Sequence, residues 1–186
     1  MLFGAVAVVW FLLDQLSKNW AQSALDTRDV DLVGSLRFHL AFNTGASFSM
    51  GNGYGPWIAL VALVIIAVLV WQGRTVTSRL GAVALGLIVG GALGNVADRA
   101  LRGDQGFFHG AVIDFIDLQW WPVFNVADVG VVVGAVLLVV STLLPPANGP
   151  DEARADGPDQ GQAAVDPDER AGRSRGDDPG PTAGEG

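Results

Sequence analysis

The stretch Trp121-Pro-Val-Phe-Asn-Val-Ala-Asp-Val-Gly-Val-Val-Val-Gly-Ala-Val-Leu-Leu-Val-Val-Ser-Thr-Leu-Leu144 decides how the rest of the chain is read. It is long and apolar enough to cross a bilayer, which takes about 20 mainly apolar residues. Yet Asp128 sits near its start. An ionisable side chain at or near a bilayer is costly, so Asp128 is a candidate functional group. A second candidate, Asp114, lies a little upstream in Gly110-Ala-Val-Ile-Asp-Phe-Ile-Asp117. Two carboxylates that converge on one water suggest acid/base hydrolysis.

Three more apolar runs lie outward of this one: Met1 to about Trp20, Trp57 to Trp71, and Leu80 to about Val96. The second is short, and residues 53–72 make a fuller helix, with Pro56 placed as an N1 proline. The expected fold class is therefore an all-α membrane protein, a bundle of four transmembrane helices over residues 1–144. Trp20, Trp57, Trp71, Trp120 and Trp121 fall at the expected ends, as in an interfacial aromatic belt. Gly86, Gly90 and Gly94 recur every fourth residue, as do Gly130 and Gly134. Small residues at that spacing let helix backbones approach closely in lipid. The first run makes a poor secretory signal peptide, having no basic leader and no small-residue cleavage site. A span opening at Met1 without flanking charge suggests a start site further upstream.

Residues 145–186 differ in kind. They hold 10 of the 19 acidic residues, 4 of the 11 basic ones and seven of the nine prolines, and no aromatic residue. Such a segment cannot bury enough apolar surface to offset the entropy of ordering, so it is expected to be a disordered tail. Nothing in the chain is basic enough to suggest a nucleic-acid partner. The absence of cysteine excludes disulfides, thiolate metal sites and a Cys nucleophile. The only histidines are His39 and His109, and no His-Glu-x-x-His motif occurs.

Several polar residues lie in or beside the runs. Asp14 and Lys18 are spaced i,i+4 and should pair inside the bundle. A buried ion pair that fixes helix position is favoured there over a catalytic role. Asn95, Asp98 and Arg99 close the third run. They make either a polar helix terminus or a set that orients carboxylates and substrate backbone. A plain positive-inside count, Arg74 and Arg79 against Arg28, Arg37, Arg99 and Arg102, puts the termini outside, but Arg99 is better explained by an ion pair and the difference left is a single charge. Asn43, in Asn43-Thr-Gly45, reads as a turn after a strand-like Leu36–Phe42 that includes His39. Val112–Leu118 reads as an extended segment before the fourth helix. Along a strand Asp114 and Asp117 face opposite ways, so only one of them can face Asp128. Asn125 and Asp128 share a helix face. With Pro122 as the helix start, Asp128 would lie about 9 Å along the axis.

Five blocks together resemble the lipoprotein signal peptidases (signal peptidase type II). They are Asp14-Gln-Leu-Ser-Lys18, Phe42-Asn-Thr-Gly-Ala-Ser-Phe48, Gly91-Ala-Leu-Gly-Asn-Val-Ala-Asp-Arg99, Val112-Ile-Asp-Phe115 and Phe124-Asn-Val-Ala-Asp128. The resemblance implies a four-helix bundle in the bacterial cytoplasmic membrane with both termini cytoplasmic. It also implies an extracytoplasmic cradle of short strands and a small surface helix. Asp114 and Asp128 would be the catalytic aspartates, Asn43, Asn95, Arg99 and Asn125 polar site residues, and Asp14 and Lys18 the first-helix pair. The implied substrate is a diacylglyceryl-modified prolipoprotein, cut just before the lipidated Cys. No metal or cofactor is implied, and action as a monomer is expected. The acidic tail lies outside the family pattern. The rival readings are a small proton-linked transporter, which would also bury carboxylates, and a non-catalytic scaffold.

Overall fold

The computed structural model describes residues 1–45, 54–103, 106 and 108–143. The expected tail at 145–186 lies outside them. Four helices and three strands follow in the order α1 (Leu2–Ala24), β1 (Val30–Val33), β2 (Leu36–Asn43), α2 (Gly55–Gly73), α3 (Arg79–Leu101), β3 (Val112–Asp117) and α4 (Val126–Leu143). Three helices, α2, α3 and α4, are long and apolar enough to cross a membrane, and α1 is not among them. The small surface helix implied by the resemblance has no counterpart among the described residues.

Helix α3 is the centre of the bundle. Ser78 caps it, its hydroxyl accepting the Gly81 N–H at 2.9 Å, an interaction typically worth about 1 kcal/mol. Residues 84–91 are buried without a break. Glycine makes that burial possible. A Cβ on Gly90 would stand 2.6 Å from the Ala7 carbonyl oxygen of α1. One on Gly134 of α4 would stand 2.7 Å from the Ala84 carbonyl oxygen. The expected small-residue packing thus joins α1 to α3 and α3 to α4. Helix α2 leans on α3 through Ile66, Ala62 and Leu63 against Val89, Ala92 and Val96. The outer faces of α2 and α4 stay apolar and exposed, as lipid-facing surfaces require.

The strands form one antiparallel sheet in the order β1-β2-β3. The sequence reading anticipated β2 and β3 and did not single out β1. Ile113 and Phe115 turn one face of β3 onto Ala21 and Leu25 at the end of α1. The Trp20, Phe38 and Phe115 rings meet there at centroid distances of 5.4–6.1 Å. The alternate residue, Asp114, therefore points the other way. The register pairs Ala41 with Asp114 and Asn43 with Val112. Asn43 lies two residues from Ala41 and so shares the Asp114 face.

Helix α4 begins at Val126, not at Pro122. The chain stays extended past the proline because Phe124 bridges to Ile116, donating at 3.0 Å and accepting at 2.9 Å. Asn125 then caps the helix. Its Oδ1 accepts the Asp128 N–H at 3.0 Å, and Asp128 Oδ2 accepts the Asn125 N–H at 3.2 Å. This reciprocal capping box puts Asp128 in the first turn rather than deeper along the axis.

Candidate active site

Asp114 and Asp128 come together through Asn125, which is fully buried. Its Nδ2 donates to Asp114 Oδ1 at 2.6 Å and to Asn95 Oδ1 at 3.1 Å. Asn95 Nδ2 donates in turn to Asp128 Oδ1 at 2.9 Å. Asn43 Nδ2 donates to Asp114 Oδ2 at 3.2 Å. Each of the three amides is oriented by a group that can only donate. The Asp128 N–H faces Asn125 Oδ1, the Gly45 N–H faces Asn43 Oδ1 at 3.2 Å, and Lys18 Nζ faces Asn95 Oδ1 at 2.9 Å. All four carboxylate oxygens of the pair consequently receive an N–H.

Asp114 is only 4% exposed. Burial, and then the nearby Asp128 charge, push its carboxyl from the ordinary 3.8 up to about 6. Asp117, the competing aspartate, does different work. It faces away, its carboxylate bound to Arg37 Nε at 2.7 Å and to the Gln119 N–H at 2.6 Å. Burial opposes its ionisation, but Arg37 and that N–H hold it below the usual carboxylate range. His39 pairs with Asp29 at 2.8 Å at the outer part of the sheet, an ordinary polar contact.

Below the pair lies a buried ionic cluster. Lys18 is 2.8 Å from both Asp14 and Asp98, and all three side chains are inaccessible. The expected Asp14–Lys18 pair is present, and Asp98 is its unforeseen third member. Gln15 Nε2 adds bonds to Asp14 and Asp98, and Arg102 Nε reaches Asp98 at 2.9 Å. Among the described residues the Asp98 partners are thus Lys18 and Arg102, and Arg99 forms no ion pair. That corrects the reading of Arg99 as an ion-pair member. The geometric reason is helix phase: Arg102, four residues on, lies on the Asp98 face. Arg99 is 6% exposed, and its Nη1 has no hydrogen-bond partner among the described residues.

Arg99, Asn95 and Asp128 border a cavity of about 300 Å³ otherwise walled by Ile58, Ala59, Ala62, Ala92, Val96, Val131 and Val132. The arrangement offers paired carboxylates, fixed amide donors and, at the polar end of an apolar cavity, a guanidinium nitrogen with no partner among the described residues. Among the described residues no group of three His, Cys, Asp or Glu side chains could hold a metal ion. Gln15 and Trp10, whose Nε1 bonds the Val126 carbonyl at 3.1 Å, were not singled out from the sequence. Trp10, four residues before Asp14, shares its helix face, and Gln15 stands three residues before Lys18.

Comparisons with known proteins place the chain in a family. The family model for signal peptidase (SPase) II matches residues 6–144. The lipoprotein signal peptidase of Rhodococcus jostii (strain RHA1) is 44% identical over 146 residues, 77% of this chain and 73% of that protein. The lipoprotein signal peptidase of Mycobacterium leprae (strain Br4923) is 41% identical over 141 residues, 75% of this chain and 70% of that protein. A solved bacterial membrane enzyme structure, obtained by the in meso method at 1.9 Å resolution, superposes with a TM-score of 0.64 at 25% identity. It covers 75% of this chain and 90% of the solved one. With the aspartates, amides and ionic cluster assembled as described, the chain belongs to the signal peptidase II family, the aspartic peptidases that remove signal peptides from prolipoproteins.

Proposed function

We propose that Asp114 and Asp128 are the two catalytic carboxylates of this peptidase. The observation that carries the reading is their joint suspension from Asn125, with every carboxylate oxygen met by an N–H. Two carboxylates this close do not both ionise easily. Asp114 is the more enclosed and holds its proton to about pH 6. It is therefore the acid, and Asp128 the base that takes the proton of the attacking water. Asp114 gives its proton toward the carbonyl oxygen; Asp128, now carrying the water's proton, passes it to the leaving amine as the C–N bond breaks, and a gem-diol hydroxyl returns a proton to Asp114. Because the two are coupled, the apparent titrations seen in a pH profile are those of the dyad as a whole.

Asn43, Asn95 and Asn125 keep the pair oriented. Arg99 Nη1, which has no partner among the described residues, offers its N–H to a carbonyl of the extended substrate. Asp14 and Lys18 support the site from below. The apolar cavity beside Asp128 suits an acyl chain of a diacylglyceryl-modified prolipoprotein, with the scissile bond just before the lipidated Cys. The enzyme crosses the bacterial cytoplasmic membrane four times, α1 being the fourth span. Its inward-facing polar groups are neutralised within the Lys18 cluster, which lowers the cost of insertion. The termini lie in the cytoplasm and the sheet on the outer side, over the site. Residues 1–144 are the peptidase domain, and 145–186 an appended tail with no part in catalysis. The protein acts as a monomer, without nucleic acid, metal or cofactor. A transporter is not favoured, since the carboxylates meet at a strand and a helix start rather than along a path between helices.

A gel-shift assay with purified enzyme tests this reading. A diacylglyceryl-modified prolipoprotein should lose its signal peptide, and the same precursor without the lipid should remain uncut. Equal cleavage of both would refute the assignment of the cavity to lipid.

A further inference from the structure

Asp14 and Asp98 do more than neutralise Lys18. Asp14 Oδ1 accepts the backbone N–H of Ala127 at 2.9 Å, and Ala127 immediately precedes Asp128. Asp98 Oδ2 accepts the backbone N–H of Ile113 at 3.3 Å, and Ile113 immediately precedes Asp114. Each carboxylate of the ionic cluster therefore grips the peptide that carries one member of the dyad. Lys18 binds both carboxylates and also donates to Asn95, which donates to Asp128.

We infer that Asp14, Lys18 and Asp98 form a positioning clamp that sets the distance between Asp114 and Asp128. The inference rests on the dyad reading given above. Its logic is geometric. The dyad residues come from two elements, β3 and α4. Asn125 links their side chains, the Phe124–Ile116 backbone pair ties the approach to α4 onto β3, and the two gripped amides are further fixed points next to the aspartates themselves. The three side chains are fully enclosed, so no water can substitute for a lost bond. A charged acceptor holds an N–H more firmly than an amide oxygen does. Neutralising either carboxylate should let its strand or helix start relax away from its partner.

The readout is the coupling within the dyad. When two carboxylates interact, their apparent titrations are driven apart, and the bell-shaped pH–rate profile is broad. A longer separation narrows it. Among the described residues the charged groups nearest Asp114 and Asp128 are Lys18 and Asp14 from α1, Asp98 and Arg99 from α3, and each dyad member from the other's element. Helix α2 carries no titratable residue. Arg37 and His39 of β2 are engaged with Asp117 and Asp29.

The test compares purified wild type, Asp14→Asn and Asp98→Asn on a diacylglyceryl-modified prolipoprotein across pH. In each variant kcat should fall by about tenfold or more with KM held within about twofold. The two limbs of the profile should move together by about half a pH unit or more. A variant that merely folded less well would lose active enzyme without moving the limbs. Wild-type kcat and profile in both variants would overturn the inference. So would a failure of both to accumulate, which would assign the cluster to folding alone. If one accumulates, it carries the test. Asp114→Asn and Asp128→Asn are run alongside. Activity in either sinks the dyad itself, whereas dead dyad variants beside unaltered clamp variants sink only the clamp.

Discussion

Replacing Asp114 by Asn should make the protein more stable at neutral and alkaline pH while removing its activity. Burial, and then the Asp128 charge, raise the Asp114 carboxyl from 3.8 to about 6. The folded chain thus binds a proton that the unfolded chain gives up sooner. Stability from the protonated form is fully present below about pH 4 and is lost as pH rises through about 6. At about 1.4 kcal/mol per pH unit, the loss reaches roughly 3 kcal/mol by pH 8. An asparagine does not titrate and escapes this loss. It can still accept from Asn125 Nδ2, but its NH₂ then faces Asn43 Nδ2, which the Gly45 N–H holds in place. That meeting of donors costs about 1 kcal/mol or somewhat more. The net gain at pH 8 is therefore about 1–2 kcal/mol. Unfolding in detergent, followed by tryptophan fluorescence from pH 4 to 8, measures it. The gap between the two midpoints should widen in the variant's favour over roughly pH 4–6 and then level off. Parallel curves for the two proteins, or a variant weaker than wild type at pH 8, would refute the reasoning.

Two further outcomes are expected. Gly90→Ala should destabilise the bundle by about 1–3 kcal/mol, because its Cβ would meet the Ala7 backbone at 2.6 Å, whereas Gly4→Ala, with nothing within 4 Å, should be neutral or slightly stabilising. Thermal unfolding of the two variants distinguishes them, and equal effects would contradict close α1–α3 packing. Deleting residues 147–186 should leave the cleavage rate of the purified enzyme within about twofold of wild type; a larger loss would give the tail a role.

The helices were legible because their apolar runs are long, and their contacts because Gly90 and Gly134 recur at packing intervals. Strand alternation separated Asp114 from Asp117, and the i,i+4 spacing exposed the Asp14–Lys18 pair. Two things were hidden. The start of α4 was misread because Pro122 is a common helix opener, and nothing local announces that Phe124 will pair with Ile116. Asp98 was not recognised as the third member of the Lys18 cluster, because α1 and α3 meet across more than 75 residues of sequence, beyond any local spacing rule. Arg99 was read as the ion-pair member although the i,i+4 spacing of Asp98 and Arg102 on α3 already favoured Arg102.

The central claim is that one water is activated between Asp114 and Asp128. The most direct measurement is the turnover of a diacylglyceryl-modified prolipoprotein by purified Asp114→Asn and Asp128→Asn, each first shown to unfold cooperatively. Neither variant should release signal peptide under conditions where wild type processes all of the substrate. Wild-type turnover by either folded variant would contradict the claim.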